Sequence, residues 1–190
     1  MSGVVFPGIA DVERWHQSVL CGFDAMPELA RRFSPNISLI NLELAERLQE
    51  IRTLTSQEWE VEKNELEEKQ EIYALIVLFA SFEGIIRRDF EWRSRERKAL
   101  HHALFSKIIP KKVDGFVSVI NMLNQWLSVA RNGVHVDFEQ KIAALINGYR
   151  DERNILVHGN WIVATPFAKL FADLIDVQAC FKKEIGDFCV

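Results

Sequence analysis

The chain has 190 residues, of which 48% are hydrophobic and 26% are charged, and its formal net charge is −4. Its 13 phenylalanines exclude general disorder, because disordered chains are poor in aromatic residues. The apolar run Ala74–Ala80 is far shorter than the roughly 20 residues that a membrane span needs, so we expect no membrane partner. The three cysteines form no Cys-x-x-Cys pair. We therefore expect reduced thiols, a cytoplasmic location, and no metal or other cofactor.

Charge is distributed unevenly along the sequence. Residues 41–72 contain ten acidic and four basic residues, whereas residues 87–112 contain nine basic and three acidic ones. Phosphate neutralisation by Lys and Arg supplies much of the affinity for nucleic acids, so a polyanion is expected to bind near the second stretch. Candidates for holding an RNA backbone there are Arg93, Arg97 and Lys98. A solvated helix face is the alternative interpretation of these residues.

The predicted elements in the first half of the chain are helices. Residues Ile9–Phe23 suggest a short helix. Proline is absent between Pro35 and Pro110, and this stretch contains a single glycine, which predicts two long helices. The first begins near Ser38, and the second covers roughly Leu66–Leu104. A break around residues 53–56 and one continuous helix are both compatible with the pattern.

The pattern after Pro110 stays helical. It predicts one helix from Asp114 through Leu127, one from about Asp137 to His158, and a last one that begins at Pro166. Strand signals are nearly absent, so the predicted fold is all-α, an up-and-down helical bundle with long central helices. We expect a single domain over residues 1–190, with an N-terminal helical extension at 1–65 and a core bundle at 66–190.

Two charged residues fall on predicted apolar helix faces. On a wheel of about 100° per residue, Glu83 lies in the middle of the face formed by Ile72, Ile76, Phe79, Ile86 and Phe90. Arg153 lies in the middle of the apolar face of the helix that precedes Gly159. Because a lone buried charge is costly, we expect Glu83 and Arg153 to face each other through charge-assisted hydrogen bonds. The alternative is that each side chain reaches the rim of the bundle.

A polar strip follows the edge of the second apolar face. Arg150, Asn154 and His158 are spaced four residues apart along it. A histidine titrates near neutral pH and can act as a general acid or base. A histidine that bonds the last carbonyls of its helix is the alternative interpretation of His158.

The segment Arg150–Gly159, with the pattern Arg153-Asn154-x-x-x-His158, resembles the signature of the HEPN superfamily. The segment Leu75–Glu83 is similar to the first core helix of many prokaryotic HEPN toxins and defence proteins. The resemblance covers about half of the chain, residues 68–160. It implies a metal-independent endoribonuclease that acts as a homodimer, in the role of a toxin or anti-phage defence effector.

The resemblance also implies roles for the site residues. His158 would act on the ribose 2′-hydroxyl or the leaving 5′-oxygen, and Arg153 would stabilise the charge on the scissile phosphate. Asn154 would position the phosphate or the histidine, while Glu83 would orient Arg153. Arg150 would add a contact to RNA. The implied partners are RNA, a second copy of the chain, and an antitoxin or regulatory protein. Because some HEPN domains are not nucleases, the alternative is a catalytically inactive helical module that binds a partner protein or a nucleotide.

Overall fold

A computed structural model of the chain describes residues 8–32, 42–108, 117–133, 135–148, 165–186 and 188. Within these residues the secondary structure is helical without any strand, and the predicted all-α fold is confirmed. The helices are α1 (Ile9–Arg32), α2 (Leu42–Thr53), α3 (Ser56–Arg95), α4 (His102–Phe105), α5 (Val119–Gly133), α6 (Val136–Gly148) and α7 (Phe167–Ile185). None of these described helices has both the length and the apolar character needed to cross a bilayer.

Helix α3 begins after a break at Leu54 and Thr55, which resolves the question that the sequence left open. Thr55 and Glu58 form a reciprocal capping box. The backbone N–H of Glu58 donates to Thr55 Oγ1 over 3.2 Å, and the backbone N–H of Thr55 donates to Glu58 Oε2 over 2.8 Å. The hydrogen bond from the Thr55 backbone N–H, and after it a hydrogen bond from Thr55 Oγ1 to the same Oε2 over 2.8 Å, lower the pKa of Glu58. The two bonds of the capping box pair backbone N–H groups at the start of the helix.

Several predicted helix boundaries differ from the structure. The first helix is longer than predicted, because it continues past Phe23 and through Pro27 to Arg32. Helix α3 ends at Arg95, so the prediction of a helix as far as Leu104 was wrong. A hydrogen-bonded turn follows Arg95 in place of the predicted continuation of the helix. The predicted start near Ser38, the cap at Asp114 and the end of the helix at His158 lie outside the described residues.

The chain divides into two compact units. The first unit is residues 10–74, and the second is residues 75–190 together with residues 1–9. The division falls within α3, whereas the sequence placed the boundary between extension and core bundle at residue 65. In the first unit, Ala30 of α1, Leu48 and Ile51 of α2 and Trp59 of α3 are buried together. Polar contacts across the same helices pair Arg47 with Glu62 and Lys63 with Asp24.

The second unit is built around Trp126 of α5. This side chain is fully buried, and its ring lies 4.8 to 6.4 Å from the ring centroids of Phe105, Phe138, Phe181 and Phe188. Aromatic pairs at such distances add to the stability that burial alone supplies. At the surface of the same unit, Lys141 of α6 pairs with Asp176 of α7 over 2.8 Å. The aromatic cluster thus joins α4, α5, α6 and α7.

A histidine is buried in the first unit. His16 of α1 is only 5% exposed. Its burial lowers the pKa of the imidazole below the ordinary value of 6.5, and the charge of Glu71 on α3 opposes this shift only in part. The folded protein therefore holds His16 in its neutral form at a pH where the unfolded chain already binds a proton.

We predict that the free energy of unfolding falls as the pH is lowered through about 6.5, because the unfolded state then takes up a proton that folded His16 does not bind. The fall should continue until the lowered pKa of the folded state is reached. Urea denaturation between about pH 8 and about pH 5.5 measures the effect. The variant His16→Phe should lose most of this pH dependence. If it keeps the dependence of the unaltered protein, another group is responsible.

Candidate RNA-binding and catalytic site

The structure describes half of the predicted site residues. Arg150, Arg153, Asn154 and His158 lie outside the described residues. Glu83 and Arg93 lie on α3, and Arg97 and Lys98 lie in the turn that follows it. The described part of the candidate site therefore consists of α3, its C-terminal end and the helices around Trp126.

The buried face of α3 in the second unit is centred on Leu75, Phe82 and Ile86, which are at most 1% exposed. Ile72 and Ile76 are only partly buried. This face lies roughly 60° around the helix from the predicted one. The prediction that Glu83 lies in the middle of the buried face was therefore wrong. Residues 74–80 are all apolar, so the sequence period there does not reveal which side of the helix faces the core.

Glu83 lies at the edge of the buried face, and its side chain is 18% exposed. Its Oε2 atom lies 3.8 Å from Nη2 of Arg87, one turn further along α3. Arg87 also donates from Nη1 to the carbonyl oxygen of Val117 over 3.1 Å. A carboxylate has about four acceptor positions, so a carboxylate such as that of Glu83 can contact more than one guanidinium. The predicted pairing with Arg153 stays a prediction.

Arg93 is a core residue, and the prediction that it contacts RNA was wrong. Its side chain is 0% exposed, as is that of Asp89, one turn earlier. Nε donates to both carboxylate oxygens of Asp89, over 2.9 and 3.1 Å, and Nη1 donates to the carbonyl oxygen of Leu100 over 3.0 Å. The guanidinium carbon lies 4.7 Å from the ring centroid of Trp126. With its charge paired and its plane over an aromatic ring, Arg93 is not available to a phosphate.

Residues 96–101, here called the basic turn, connect α3 to α4. Arg97 and Lys98 are exposed, which fits both contact with RNA and a solvated surface, while Ala99 is buried. The far end of the turn is His101, which has a left-handed backbone conformation with φ of 61°. Its ring meets that of Trp126 edge-on at 6.2 Å. The hydrogen bond from Arg93 to Leu100 holds the backbone out of the helical path, which explains why α3 ends at Arg95.

A cavity of about 280 Å³ opens between α3, α6 and α7. Its apolar wall includes Phe79, Leu145, Leu170 and Leu174, and its polar residues include Lys141, Lys169, Asp173 and Asp176. The hydrogen bond that Lys141 donates to Asp176 raises the pKa of Lys141. Gly148 and Thr165, which flank the segment that carries the Arg-His motif, also line the cavity.

Sequence analysis missed Asp89, although a signal for it was present. Asp89 and Arg93 are four residues apart, the spacing at which opposite charges meet on a helix. Both fall on the observed buried face, so a correct choice of face would have identified a buried ion pair. Trp126 gave no comparable signal, because its partners come from helices far apart in the sequence.

The described residues contain no group of three or more His, Cys, Asp and Glu side chains arranged to hold a metal ion. Comparison with models of protein families, with curated proteins and with solved structures finds no match. The resemblance to HEPN proteins therefore rests on the residues of this sequence.

We predict that Arg93→Ala lowers the free energy of unfolding by about 3–5 kcal/mol, because the carboxylate of Asp89 would remain buried without its guanidinium partner. The double variant Asp89→Leu with Arg93→Met should stay close to the unaltered protein, because it removes both charges and conserves most of the volume. Urea denaturation compares the three proteins. Equal losses in the single and the double variant would contradict a cost that arises from the unpaired charge.

Proposed function

We propose that the protein is a metal-independent endoribonuclease of HEPN type, with the role of a toxin or anti-phage defence effector. The observation that carries the proposal is the position of Glu83, whose largely buried carboxylate lies at the edge of the core face of α3. A carboxylate withdrawn from bulk water holds a guanidinium more firmly than an exposed one does. The motif supplies a candidate guanidinium in Arg153, with His158 five residues further along the chain.

The proposed reaction uses the nucleophile that RNA itself carries. The 2′-hydroxyl loses its proton to a base and attacks the adjacent phosphorus, and the bond from phosphorus to the 5′-oxygen breaks. The departing oxygen takes up a proton, which leaves a 2′,3′-cyclic phosphate and a 5′-hydroxyl. His158 transfers protons, and Arg153 stabilises the additional negative charge on the phosphate. Asn154 positions the phosphate or the imidazole.

The contact with RNA in this proposal uses exposed cations. Arg97 and Lys98 are exposed on the basic turn, and the stretch 87–112 around them carries an excess of six positive charges. Side chains of this kind bind phosphates irrespective of sequence. Arg150 adds a contact next to the motif. A second copy of the chain supplies a second motif to the same cleft, and an antitoxin or another regulatory protein would restrain the activity.

We predict that the purified full-length protein cleaves total RNA, and that His158→Ala and Arg153→Ala each reduce cleavage by about 10²-fold or more, because each removes a group that acts in the transition state. Activity should persist in EDTA. End-group analysis of the fragments should find cyclic phosphates and 5′-hydroxyls.

Two variants provide matched controls for this experiment. Arg52→Ala removes an exposed arginine of α2, and His135→Gln removes a histidine that pairs with Glu184 over 2.8 Å. Both should cleave RNA as the unaltered protein does. Cleavage that EDTA abolishes, or that survives in His158→Ala, would refute the proposal.

A further prediction concerns Glu83 as a positioning residue. Glu83→Ala should lower the cleavage rate by about 10²-fold, because a displaced guanidinium no longer meets the phosphate in the required geometry. In protein that already carries Arg153→Ala, the same change should have little further effect. Arg87→Met is the control, because it removes the arginine that lies 3.8 Å from Glu83 on the same helix. If Arg87→Met lowers the rate as much as Glu83→Ala, Glu83 acts through Arg87 and not through Arg153.

The second candidate function is that of a catalytically inactive helical module that binds a partner protein or a nucleotide. The cavity between α3, α6 and α7 favours it, because apolar walls with a few charged groups are typical of small-molecule sites. This candidate predicts no RNA cleavage and no consequence of His158→Ala. It also predicts that Leu174→Trp, which would fill the cavity, abolishes ligand binding.

A further inference from the structure

We infer that Arg93 is a positioning residue for RNA binding, although its own side chain is out of reach of solvent. It holds the basic turn in the conformation that presents Arg97 and Lys98 to a phosphate backbone. This inference rests on the proposed function, because it assigns the two exposed cations to the binding of the RNA substrate.

The side chain of Arg93 connects α3 to the basic turn. Its guanidinium binds Asp89, one turn back on α3, and the carbonyl oxygen of Leu100, seven residues ahead. A planar guanidinium can direct donors to both partners at once, whereas an ammonium group lacks this fork. The residue therefore links the rigid end of α3 to the last part of the basic turn.

A hydrogen bond of His102 is a further contact between α3 and the segment that follows it. Nδ1 of His102 lies 2.7 Å from the carbonyl oxygen of Arg93, so α4 is joined to α3 by a hydrogen bond at this point. Two contacts thus join Arg93, which precedes the basic turn, to Leu100 and His102 at its far end. One contact uses the side chain of Arg93, and the other uses its backbone.

The backbone conformation of His101 also depends on contacts with the core. A left-handed conformation is costly for a residue with a side chain and persists only where the surroundings hold it. The surroundings here are Trp126, which the ring of His101 meets edge-on, and the guanidinium of Arg93 over the same indole. The far end of the basic turn is therefore held by contacts with the core.

A turn held in this way can bind RNA without first losing conformational freedom. Ordering a loop upon binding reduces affinity, and a loop that is already ordered avoids this cost. Loss of the Arg93 contacts should therefore weaken RNA binding although no contact with RNA has been removed. We expect a loss of about 3-fold to 10-fold, which corresponds to ordering a short segment.

The test measures binding of a fluorescently labelled, mixed-sequence RNA of about 20 nucleotides. All proteins carry His158→Ala, so that the RNA stays intact, and fluorescence anisotropy is recorded at several salt concentrations. The variant Asp89→Leu with Arg93→Met should bind about 3-fold to 10-fold more weakly, with an unchanged salt dependence. Arg97→Ala with Lys98→Ala should bind more weakly and reduce the salt slope by roughly 1.4, or about 0.7 for each phosphate contact.

The decisive measurement is the coupling between the two pairs of changes. If Arg93 acts through the basic turn, Asp89→Leu with Arg93→Met should cause no further loss of RNA affinity in protein that already carries Arg97→Ala with Lys98→Ala. A general weakening of the structure would lower the affinity by the same factor in both backgrounds. Arg93→Lys keeps a positive charge beside Asp89 but cannot also reach Leu100, and it should show the same coupling. Thermal unfolding verifies that each variant is folded.

The possible failures of the inference and of the proposed function can be told apart. Additive losses would overturn the inference and leave the proposed function in place. Unchanged binding after Arg97→Ala with Lys98→Ala would also overturn it, while the cleavage assay tests the function separately. A protein that binds no RNA would overturn both.

Discussion

The ion pair between Arg93 and Asp89 is the constraint on which the second unit depends. Two opposite charges with no exposure to solvent are stable only if each is fully paired, because their removal from water is costly. The pair meets this condition with two hydrogen bonds to the carboxylate and with the indole of Trp126 beneath the guanidinium. Since Trp126 also contacts rings of α4, α6 and α7, the end of α3 cannot shift without disturbing the aromatic core.

Two acid–arginine contacts on α3 have the same spacing and different surroundings. Glu83 and Arg87 are partly exposed and separated by 3.8 Å, whereas Asp89 and Arg93 are fully buried and hydrogen-bonded. Glu83 and Arg87 are too far apart for a hydrogen bond, so a new partner of Glu83 need not displace one from Arg87. Asp89 and Arg93 would have to give up their mutual hydrogen bonds to bind another group. Because of this difference in burial, the Glu83–Arg87 pair is suited to a binding site and the Asp89–Arg93 pair to the core.

The sequence was sufficient to predict the helices and insufficient to predict how α3 faces the core. Composition and sparse proline identify the helical class, because these are local properties. The orientation of α3 is not local, since apolar residues surround the helix over residues 74–80 and neighbouring helices select the side that is buried. For the same reason Arg93 looked like a surface cation. Its burial depends on Trp126, 33 positions further along the chain.

The end of α3 at Arg95 shows the same limit. The residues that follow have good helix propensity, and nothing in their order predicts a turn. The turn forms because Leu100 accepts a hydrogen bond from the core and His101 packs on Trp126. Tertiary contacts thus outweigh local preference at the point where the exposed cations of the candidate site are placed.

The order of charges along α3 has a consequence for the electrostatics of the helix. Its first turn carries Glu58 and its last turn carries the exposed Arg95, whereas the charge of Arg93 is already paired with Asp89. The aligned peptide dipoles of a helix produce partial positive charge at the start and partial negative charge at the end. The charged side chains have the opposite sign to the partial charge at each terminus, so α3, the longest of the described helices, carries charges that offset part of its own dipole.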